Sequence, residues 1–195
     1  MKKSSTLLHA CCAPCSTTAL ERLCTEYTVH GFFYNPNIHP KNEWTKRANE
    51  TTRLFAEYFV PITIQDGDLE KWLNTMEGLE KEPEGGKRCK KCFELRLTKT
   101  AHKAKKNNFD SFSTTLSVSP YKNSRDLFKI AQNISKHINI PFLEKNFEDE
   151  EGYKQSIELS KKFALYRQKY CGCMFSHSVR ARRGTPVRNE GACTK

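Results

Sequence analysis

Seven of the nine cysteines lie in three short clusters that are far apart along the chain. The clusters are Cys11-Cys12-Ala-Pro-Cys15, Cys89-Lys-Lys-Cys92 and Cys171-Gly-Cys173. Only folding can bring them together, so a fold that uses them jointly must make the start, the middle and the end of the sequence converge. Such a set can supply the ligands of a metal centre and still leave a thiol pair over, which favours redox chemistry over a purely structural metal site.

The composition is that of a soluble globular protein, with 37% hydrophobic and 28% charged residues. No apolar run approaches the roughly 20 residues that span a bilayer. The apolar stretch near the N-terminus is interrupted at His9, so we expect no signal peptide and a cytoplasmic location. Thiols stay mostly reduced there, and clustered cysteines then favour metal binding or catalysis over a disulfide scaffold.

The formal net charge of +11 is unevenly distributed. Lysine and arginine are concentrated in residues 87–106 and, after the third cysteine cluster, at Arg180, Arg182, Arg183, Arg188 and Lys195. A positive surface beside two cysteine clusters fits a polyanion such as RNA. Charge alone describes a solvated basic face equally well, and it does not distinguish RNA from DNA.

Strand-like and helix-like segments alternate along the chain. The predicted strands cover residues 6–10, 28–34, 61–64, 111–117 and 141–143. The predicted helices cover residues 16–26, 42–58, 68–76, 89–107, 124–136, 152–164 and 166–170. This alternation predicts an α/β fold with a Rossmann-like parallel sheet and helices on both faces. We expect a single catalytic domain over residues 1–183 and a loose basic tail over residues 184–195.

Ligands of such sheets bind at the carboxyl ends of the strands, which is where the first cysteine cluster falls. The loops at residues 35–40 and 117–121 should lie beside it, and we expect structural roles for His9 and His39. Neither GxGxxG nor GxxxxGK followed by Ser or Thr occurs anywhere in the chain. Cysteines therefore stand where a phosphate-binding loop would be, which argues against an ATP- or NAD-dependent enzyme.

The first two clusters each admit more than one chemistry. Cys89 and Cys92 are three residues apart on a predicted helix, so both can face one metal centre. This spacing fits zinc, an iron–sulfur cluster or a dithiol couple, and the basic neighbours should lower the thiol pKa values. Cys11 and Cys12 would point to opposite faces of a regular strand. Joint metal binding therefore requires the chain to leave strand geometry there, which Pro14 favours.

The third cluster is the least ordinary of the three. Gly172 permits a tight turn that can bring the sulfurs of Cys171 and Cys173 within bonding distance. A disulfide closed over a single residue is strained and easily reduced, which suits an electron relay. The alternative is a structural zinc site in which both cysteines join Cys89 and Cys92.

Five motifs, taken together and in order, resemble the epoxyqueuosine reductases of the QueH type. They are LLHACCAPCS at 7–16, YNPNIHP at 34–40, EGGKRCKKCFELRL at 84–97, TTLSVSPYK at 114–122 and LYRQKYCGCMFS at 165–176. The resemblance implies the last step of queuosine synthesis, in which the epoxide oxygen of epoxyqueuosine is removed at the tRNA wobble position. It also implies a nucleotide-alpha-hydrolase-like fold that has lost its phosphate loop, and iron–sulfur chemistry without cobalamin.

The same resemblance implies roles for the clustered cysteines. The implied ligands of a [4Fe–4S] cluster are Cys11, Cys12, Cys89 and Cys92. The implied catalytic, redox-active pair is Cys171 and Cys173. Cys15 stands at a position that varies between Cys and Asp in the family, so it would bind an additional iron or serve as an alternative cluster ligand. The implied partners are a tRNA anticodon stem-loop carrying epoxyqueuosine and an unidentified electron donor.

Two interpretations from other functional classes stay open at this point. One is a zinc-stabilised RNA-binding module without catalysis, and the other is a thiol oxidoreductase that acts on proteins. Metal analysis of anaerobically purified protein separates them. Brown protein with about four irons supports the cluster, colourless protein with zinc supports the module, and metal-free protein supports the oxidoreductase.

Overall fold

The computed structural model of this chain describes residues 3–147 and 150–176. Its strands are β1 (Ser5–His9), β2 (Thr28–Tyr34), β3 (Ile62–Gln65) and β4 (Ser111–Thr114). They form one sheet in the order β3-β2-β1-β4, and every neighbouring pair is parallel. The predicted α/β fold with a parallel sheet is therefore confirmed, and the carboxyl ends of all four strands lie at one edge.

Helices cover both faces of this sheet. They are α1 (Ala13–Glu26), α2 (Lys41–Glu57), α3 (Leu69–Met76), α4 (Lys87–Lys106), α5 (Ser124–Ile138) and α6 (Glu150–Lys162). Successive residues of a strand point to opposite faces, so the neighbours Leu7 and Leu8 enter different cores. Leu7 packs in the core formed with α4 and α5, and Leu8 packs in the core formed with α1 and α2. On the α1 side, α6 adds a further layer, where the Thr18 hydroxyl donates to the Gly152 carbonyl at 2.9 Å.

Local sequence signals explain where two of these helices begin. α1 starts at Ala13, three residues earlier than predicted, because Pro14 suits the first turn of a helix, where its missing N–H needs no partner. The residue before the helix, Cys12, is still extended, with φ −173° and ψ 165°. Asp68 caps α3 as its side chain accepts the Lys71 N–H at 3.0 Å.

Two predicted strands differ from the structure: the fourth is shorter than predicted, and the fifth is reduced to a single bridge. β4 ends at Thr114, three residues short of the prediction, and a 3₁₀ turn at Thr115–Val118 follows. The Thr114 hydroxyl accepts the Leu116 N–H at 3.2 Å, which turns the chain away from the sheet. The strand predicted at residues 141–143 is a single bridge between Phe142 and Phe112.

The helix predicted at residues 166–170 is wrong. This segment is irregular because its polar groups bind other parts of the chain instead of each other. The Tyr166 N–H donates to the Glu50 carboxylate at 3.0 Å, and the Tyr170 hydroxyl donates to the His39 carbonyl at 2.7 Å. The segment therefore connects α6 to the third cysteine cluster at the sheet edge without forming regular secondary structure.

Residues 177–195 lie outside the described part of the chain. The loose tail predicted for residues 184–195, the domain boundary at residue 183 and the placement of the C-terminal arginines therefore stay predictions. Within the described residues, no helix combines the length and apolar character that crossing a bilayer requires.

Candidate metal and redox site

The first cysteine cluster lies at the carboxyl end of β1, the predicted ligand-binding edge. The sulfurs of Cys11, Cys12 and Cys15 all lie within 4.8 Å of one another, and those of Cys11 and Cys12 are 3.8 Å apart. The chain leaves strand geometry at this point, as predicted, because β1 ends at His9 and α1 begins at Ala13. Three largely buried sulfurs this close together can hold a metal ion, and Cys15 is one of them.

A threonine that the sequence did not single out holds this cluster in place. The Cys11 N–H donates to Thr115 Oγ1 at 3.0 Å, and the Thr115 hydroxyl donates to Cys11 Sγ at 3.2 Å. Thr115 reaches the sulfur because β4 ends one residue earlier. On the other side, the Ser16 hydroxyl donates to the Cys12 carbonyl at 2.8 Å.

The three thiols of the first cluster differ in their pKa values. Hydrogen bonds from the Cys12 and Cys15 thiols bring the pKa of Cys11 well below its usual range, although burial opposes the charge. Donating to Cys11 raises the pKa of Cys12 to about 11, and the pKa of Cys15 rises well above its usual range for the same reason. The Cys11 thiolate thus accepts hydrogen bonds from the thiols of Cys12 and Cys15. A metal ion would displace those two protons, so metal binding here should strengthen with rising pH.

Lys122 is a cation whose charge favours this thiolate, and Arg96 adds to its effect. The Lys122 side chain is half-buried in the turn before α5, and burial alone would lower its pKa. The charge of Cys11, together with the charges that Cys15, Cys12 and Cys171 carry once they are deprotonated, outweighs burial and raises the pKa of Lys122. Sulfurs of the first and third cysteine clusters therefore both act on this ammonium group.

The second cluster adjoins both of the others. Cys89 is half-buried on the first turn of α4 and packs against the core that contains Cys11 and Cys12. Cys92 is buried beside Cys173 and Trp72. Cys89 and Cys92 do not join the compact group formed by the three sulfurs of the first cluster.

The pKa of Cys89 does not fall as the basic residues around it predict. Burial raises it, and the hydrogen bond from the Gly85 N–H at 3.2 Å and the charge of Arg88 oppose that rise only in part. The neighbouring lysines point into solvent, where Lys90 pairs with Asp126 and Lys91 pairs with Glu94. Exposed charge is screened by water and has little influence on a thiol that faces the interior.

The third cluster forms a tight turn in which Gly172 adopts φ +99°. A hydrogen bond from Cys171 lowers the pKa of Cys173 to about 6, helped by the N–H groups of Ser176 and Phe175 and by the charge of Arg88. In return, donating that bond raises the pKa of Cys171 well above its usual range. Cys171 and Cys173 are both free thiols in this structure, arranged as a thiol–thiolate pair.

The loop after β2 holds this turn at the sheet edge. Its Asn35 also contacts Ala10, next to Cys11, so residues 35–40 lie beside the first cluster as predicted. The His39 N–H donates to the Gly172 carbonyl at 2.9 Å, and the Asn37 side-chain amide donates to the Cys171 carbonyl at 3.3 Å. These two bonds fix the backbone of the third cluster. The His39 Nε2–H donates to the Pro36 carbonyl at 3.0 Å, which fits the structural role expected for this ring.

Two buried arginines, Arg88 and Arg96, support the site, and no local pattern distinguishes them from the exposed cations of the chain. Arg88 donates to the Glu80 carbonyl at 2.9 Å and to Ser176 Oγ at 3.2 Å, so it joins the loop before α4 to the end of the third cluster. Arg96 donates to Asn35 Oδ1, and the Asn35 amide donates to the Ala10 carbonyl at 3.0 Å. This chain of contacts anchors α4 to the residue that precedes Cys11.

His9 is a structural residue of the sheet. Its ring nitrogens lie 2.9 Å from Thr114 Oγ1 and 3.3 Å from the Tyr34 carbonyl, so it links β1 to both neighbouring strands. Burial, followed by the charge of Arg96, lowers the pKa of His9 to about 3. The neutral imidazole is hydrogen-bonded at both nitrogens, so it links the strands and does not take up a second proton at neutral pH.

Replacing Gly172 with alanine should displace the third cluster. A Cβ atom there would lie 2.9 Å from Ile38 Cγ1 and 3.1 Å from Ile38 Cα, and the residue would keep a strained positive φ. We expect the free energy of unfolding to fall by about 2–4 kcal/mol, combining strain and overpacking. Urea denaturation measures the loss, and Gly78→Ala is the control, because Gly78 has φ +75° with nothing nearby. Equal losses in the two variants would contradict the packing argument.

Comparison with known protein families and sequences gives one consistent result. The family model described as epoxyqueuosine reductase QueH matches residues 6–179. The chain is 39% identical to the epoxyqueuosine reductase QueH of Streptococcus pyogenes serotype M1, over 89% of this chain and 71% of that protein. It is 37% identical to the protein of the same name from Acinetobacter baylyi, over 87% and 79% of the two chains. The protein of the same name from Thermotoga maritima is 35% identical, over 87% and 88%.

Solved structures share the fold at low sequence identity. A predicted subunit of a tRNA methyltransferase from Methanocaldococcus jannaschii has a TM-score of 0.53 at 13% identity, covering 82% of this chain and 76% of its own. The U34-tRNA thiolase NcsA from Methanococcus maripaludis, solved with its [4Fe–4S] cluster, has a TM-score of 0.56 at 11% identity, covering 93% and 65%. The chain therefore shares the overall α/β fold of these two proteins.

Proposed function

The chain belongs to the epoxyqueuosine reductase QueH family, and we propose that it reduces epoxyqueuosine at the wobble position of tRNA to queuosine. The reaction opens the epoxide, releases its oxygen as water and leaves an alkene, so it consumes two electrons and two protons. The observation that carries the proposal is the meeting of three cysteine clusters at the carboxyl edge of the sheet. Thiols and metal centres are the groups of this site that can deliver electrons.

We propose that the ligands of a [4Fe–4S] cluster are Cys11, Cys12, Cys89 and Cys92. The close grouping of the first cluster and the packing of Cys89 against it support this set, since a cubane cluster is held by four thiolates. Cys15 lies in the same group of sulfurs, so it is available to an additional iron or as an alternative ligand. When bound, such a cluster passes single electrons, and an iron with an open coordination position acts as a Lewis acid.

The third cluster is proposed to hold the two electrons that each turnover needs. When two thiols form a disulfide, they release two electrons and two protons, which equals the demand of the epoxide. The turn at Gly172 and the hydrogen bond between the thiols of Cys171 and Cys173 favour this pairing. An external electron donor must then reduce the disulfide to restore the dithiol.

The substrate is proposed to be the anticodon stem-loop of a tRNA that carries epoxyqueuosine. Lysines on the solvent face of α4 supply positive charge close to the site, and RNA phosphates are their natural counterpart. The modified base would be splayed out of the loop to reach the sulfurs, as single-stranded RNA allows. We propose that the protein acts in the cytoplasm, where its thiols would stay reduced.

Nucleoside analysis of tRNA tests the function directly. Cells that lack this protein and any other enzyme of the same activity should accumulate epoxyqueuosine and lose queuosine. A plasmid encoding the wild-type chain should restore queuosine, and so should the Cys24→Ala variant, whose thiol lies on α1 outside the three clusters. Unchanged queuosine in the deletion strain would refute the proposed function.

A further inference from the structure

Tyr121 is a large aromatic side chain in the loop between the 3₁₀ turn and α5, and 71% of its surface is exposed to solvent. It occupies the third position of a turn that the Lys122 N–H closes on the Ser119 carbonyl at 3.1 Å. Pro120 fixes the backbone before it. After the turn, Asn123 caps α5 by accepting the Asp126 N–H at 3.1 Å. The ring is therefore presented on a backbone that is fixed on both sides.

The position of this turn connects the ring to the sulfurs. The residue after Tyr121 is Lys122, whose pKa is raised by the charges of the first-cluster sulfurs and of Cys171, although burial opposes the rise. Just before the turn, the 3₁₀ segment carries Thr115, which bonds to Cys11. The short stretch from Thr115 to Tyr121 thus contacts Cys11 at one end and exposes an aromatic ring at the other. A ligand that reaches from the sulfurs along this stretch into solvent would meet that ring.

We propose that Tyr121 is a stacking platform for a nucleobase next to the modified nucleoside in the anticodon loop. The inference rests on the proposed function, because it takes a single-stranded RNA loop as the ligand. Splayed bases of such loops are held by stacking on aromatic side chains, which is tolerant of sequence because every base has a flat face. A ring fixed on a rigid turn loses little freedom when a base stacks on it.

Phe59 provides a matched comparison, because it is an exposed aromatic side chain that is not part of the proposed platform. It is 95% exposed, and it precedes β3, so it lies at the amino edge of the sheet, opposite the cysteine site. Truncating Phe59 therefore removes a similar amount of exposed ring without touching the proposed platform.

The test measures binding of a synthetic, fluorescently labelled anticodon stem-loop RNA to anaerobically purified holoprotein. We expect Tyr121→Ala to raise the dissociation constant by about 5- to 150-fold, the range for one lost base stack. Tyr121→Phe keeps the flat ring and should bind as the wild type does, and Phe59→Ala should do the same. A 2-aminopurine placed at each loop position in turn should show quenching at one base, and Tyr121→Ala should remove that quenching. Unchanged affinity and unchanged quenching in Tyr121→Ala would overturn the inference.

Turnover on tRNA that carries epoxyqueuosine separates this inference from the proposed function. If the wild type converts the substrate and Tyr121→Ala raises KM with kcat retained, both stand. If the wild type converts the substrate and Tyr121→Ala has the same KM, the platform is refuted and the function stands. If the wild type binds the stem-loop through Tyr121 but leaves epoxyqueuosine intact, the function is refuted and the platform stands.

Discussion

Replacing Cys89 with alanine is expected to abolish the proposed iron–sulfur cluster and reduce turnover to background. A cubane cluster needs four thiolates, and with one missing the remaining ligands leave an iron exposed to solvent and to loss. Iron content should fall from about four per chain in anaerobically purified wild type to a small fraction of that in the variant. Iron analysis and the visible absorption spectrum measure the first effect, and nucleoside analysis of tRNA measures the second.

The structure sharpens this experiment, because it offers five candidate thiols for four positions. Cys11, Cys12 and Cys15 form the compact group, whereas Cys89 packs beside it and Cys92 is buried towards Cys173. The proposed ligand set predicts that Cys92→Ala also loses the cluster and that Cys15→Ala keeps about four irons. The opposite pattern, with the cluster lost in Cys15→Ala and kept in Cys92→Ala, would replace Cys92 by Cys15 as a ligand.

A cysteine outside the site controls for thiol loss and for general instability. Cys24 is half-buried on α1, and its pKa is raised by burial and not by the other cysteines. Cys24→Ala should therefore retain the iron content and turnover of the wild type. If Cys24→Ala and Cys89→Ala lost iron equally, the loss would report destabilised folding and would say nothing about ligation.

The fold and the location of the site were predictable because both follow from short-range signals. Alternating apolar strands and amphipathic helices predict a parallel sheet, and the rule that ligands bind at the carboxyl ends of its strands then places Cys11 at the site. The break between Cys11 and Cys12 was also visible, because Pro14 is compatible with a first helical turn and not with a continuing strand. These inferences need only the residues within a few positions of one another.

The residues that support the site were not predictable in the same way. Arg88 and Arg96 stand among many lysines and arginines, and only the packing of α4 against the sheet buries these two while most lysines of the same helix stay exposed. The sequence pattern places Thr115 within a strand. In the structure β4 ends one residue before it, and its side chain is therefore free to hydrogen-bond to Cys11. The roles of these residues depend on contacts between segments as much as about a hundred residues apart, and for Thr115 also on the residue at which β4 ends. The local sequence pattern determines neither of these.

Replacing Cys171 with serine is expected to leave the iron–sulfur cluster intact and to stop repeated turnover. Serine cannot form a disulfide, so the proposed pair can no longer release two electrons at once. We expect kcat to fall by about 100-fold or more, the scale on which a group that takes part in the chemistry is lost. Iron analysis checks the cluster, and conversion of epoxyqueuosine in tRNA under excess substrate checks turnover.

The reactivity of the surviving thiol distinguishes lost chemistry from a damaged turn. The pKa of Cys173 is about 6, because Cys171, the N–H groups of Ser176 and Phe175 and the charge of Arg88 all favour its thiolate. The serine hydroxyl can still donate to Cys173, so the pKa should stay below the usual thiol range. Alkylation of Cys173 by iodoacetamide in reduced, metal-free protein should then remain fast at pH 7. The reaction should slow as the pH falls below the pKa of Cys173, because only the thiolate reacts.

Three outcomes would contradict the electron-relay role. Turnover by Cys171→Ser at the wild-type rate would remove Cys171 from the chemistry. Loss of the cluster from Cys171→Ser, with Cys89→Ala retaining it, would make Cys171 a metal ligand in place of Cys89. Cys173→Ser should behave as Cys171→Ser does in iron content and turnover, because a disulfide needs both sulfurs. A large difference between the two variants would mean that the sulfurs act separately and that electrons reach the substrate without a disulfide.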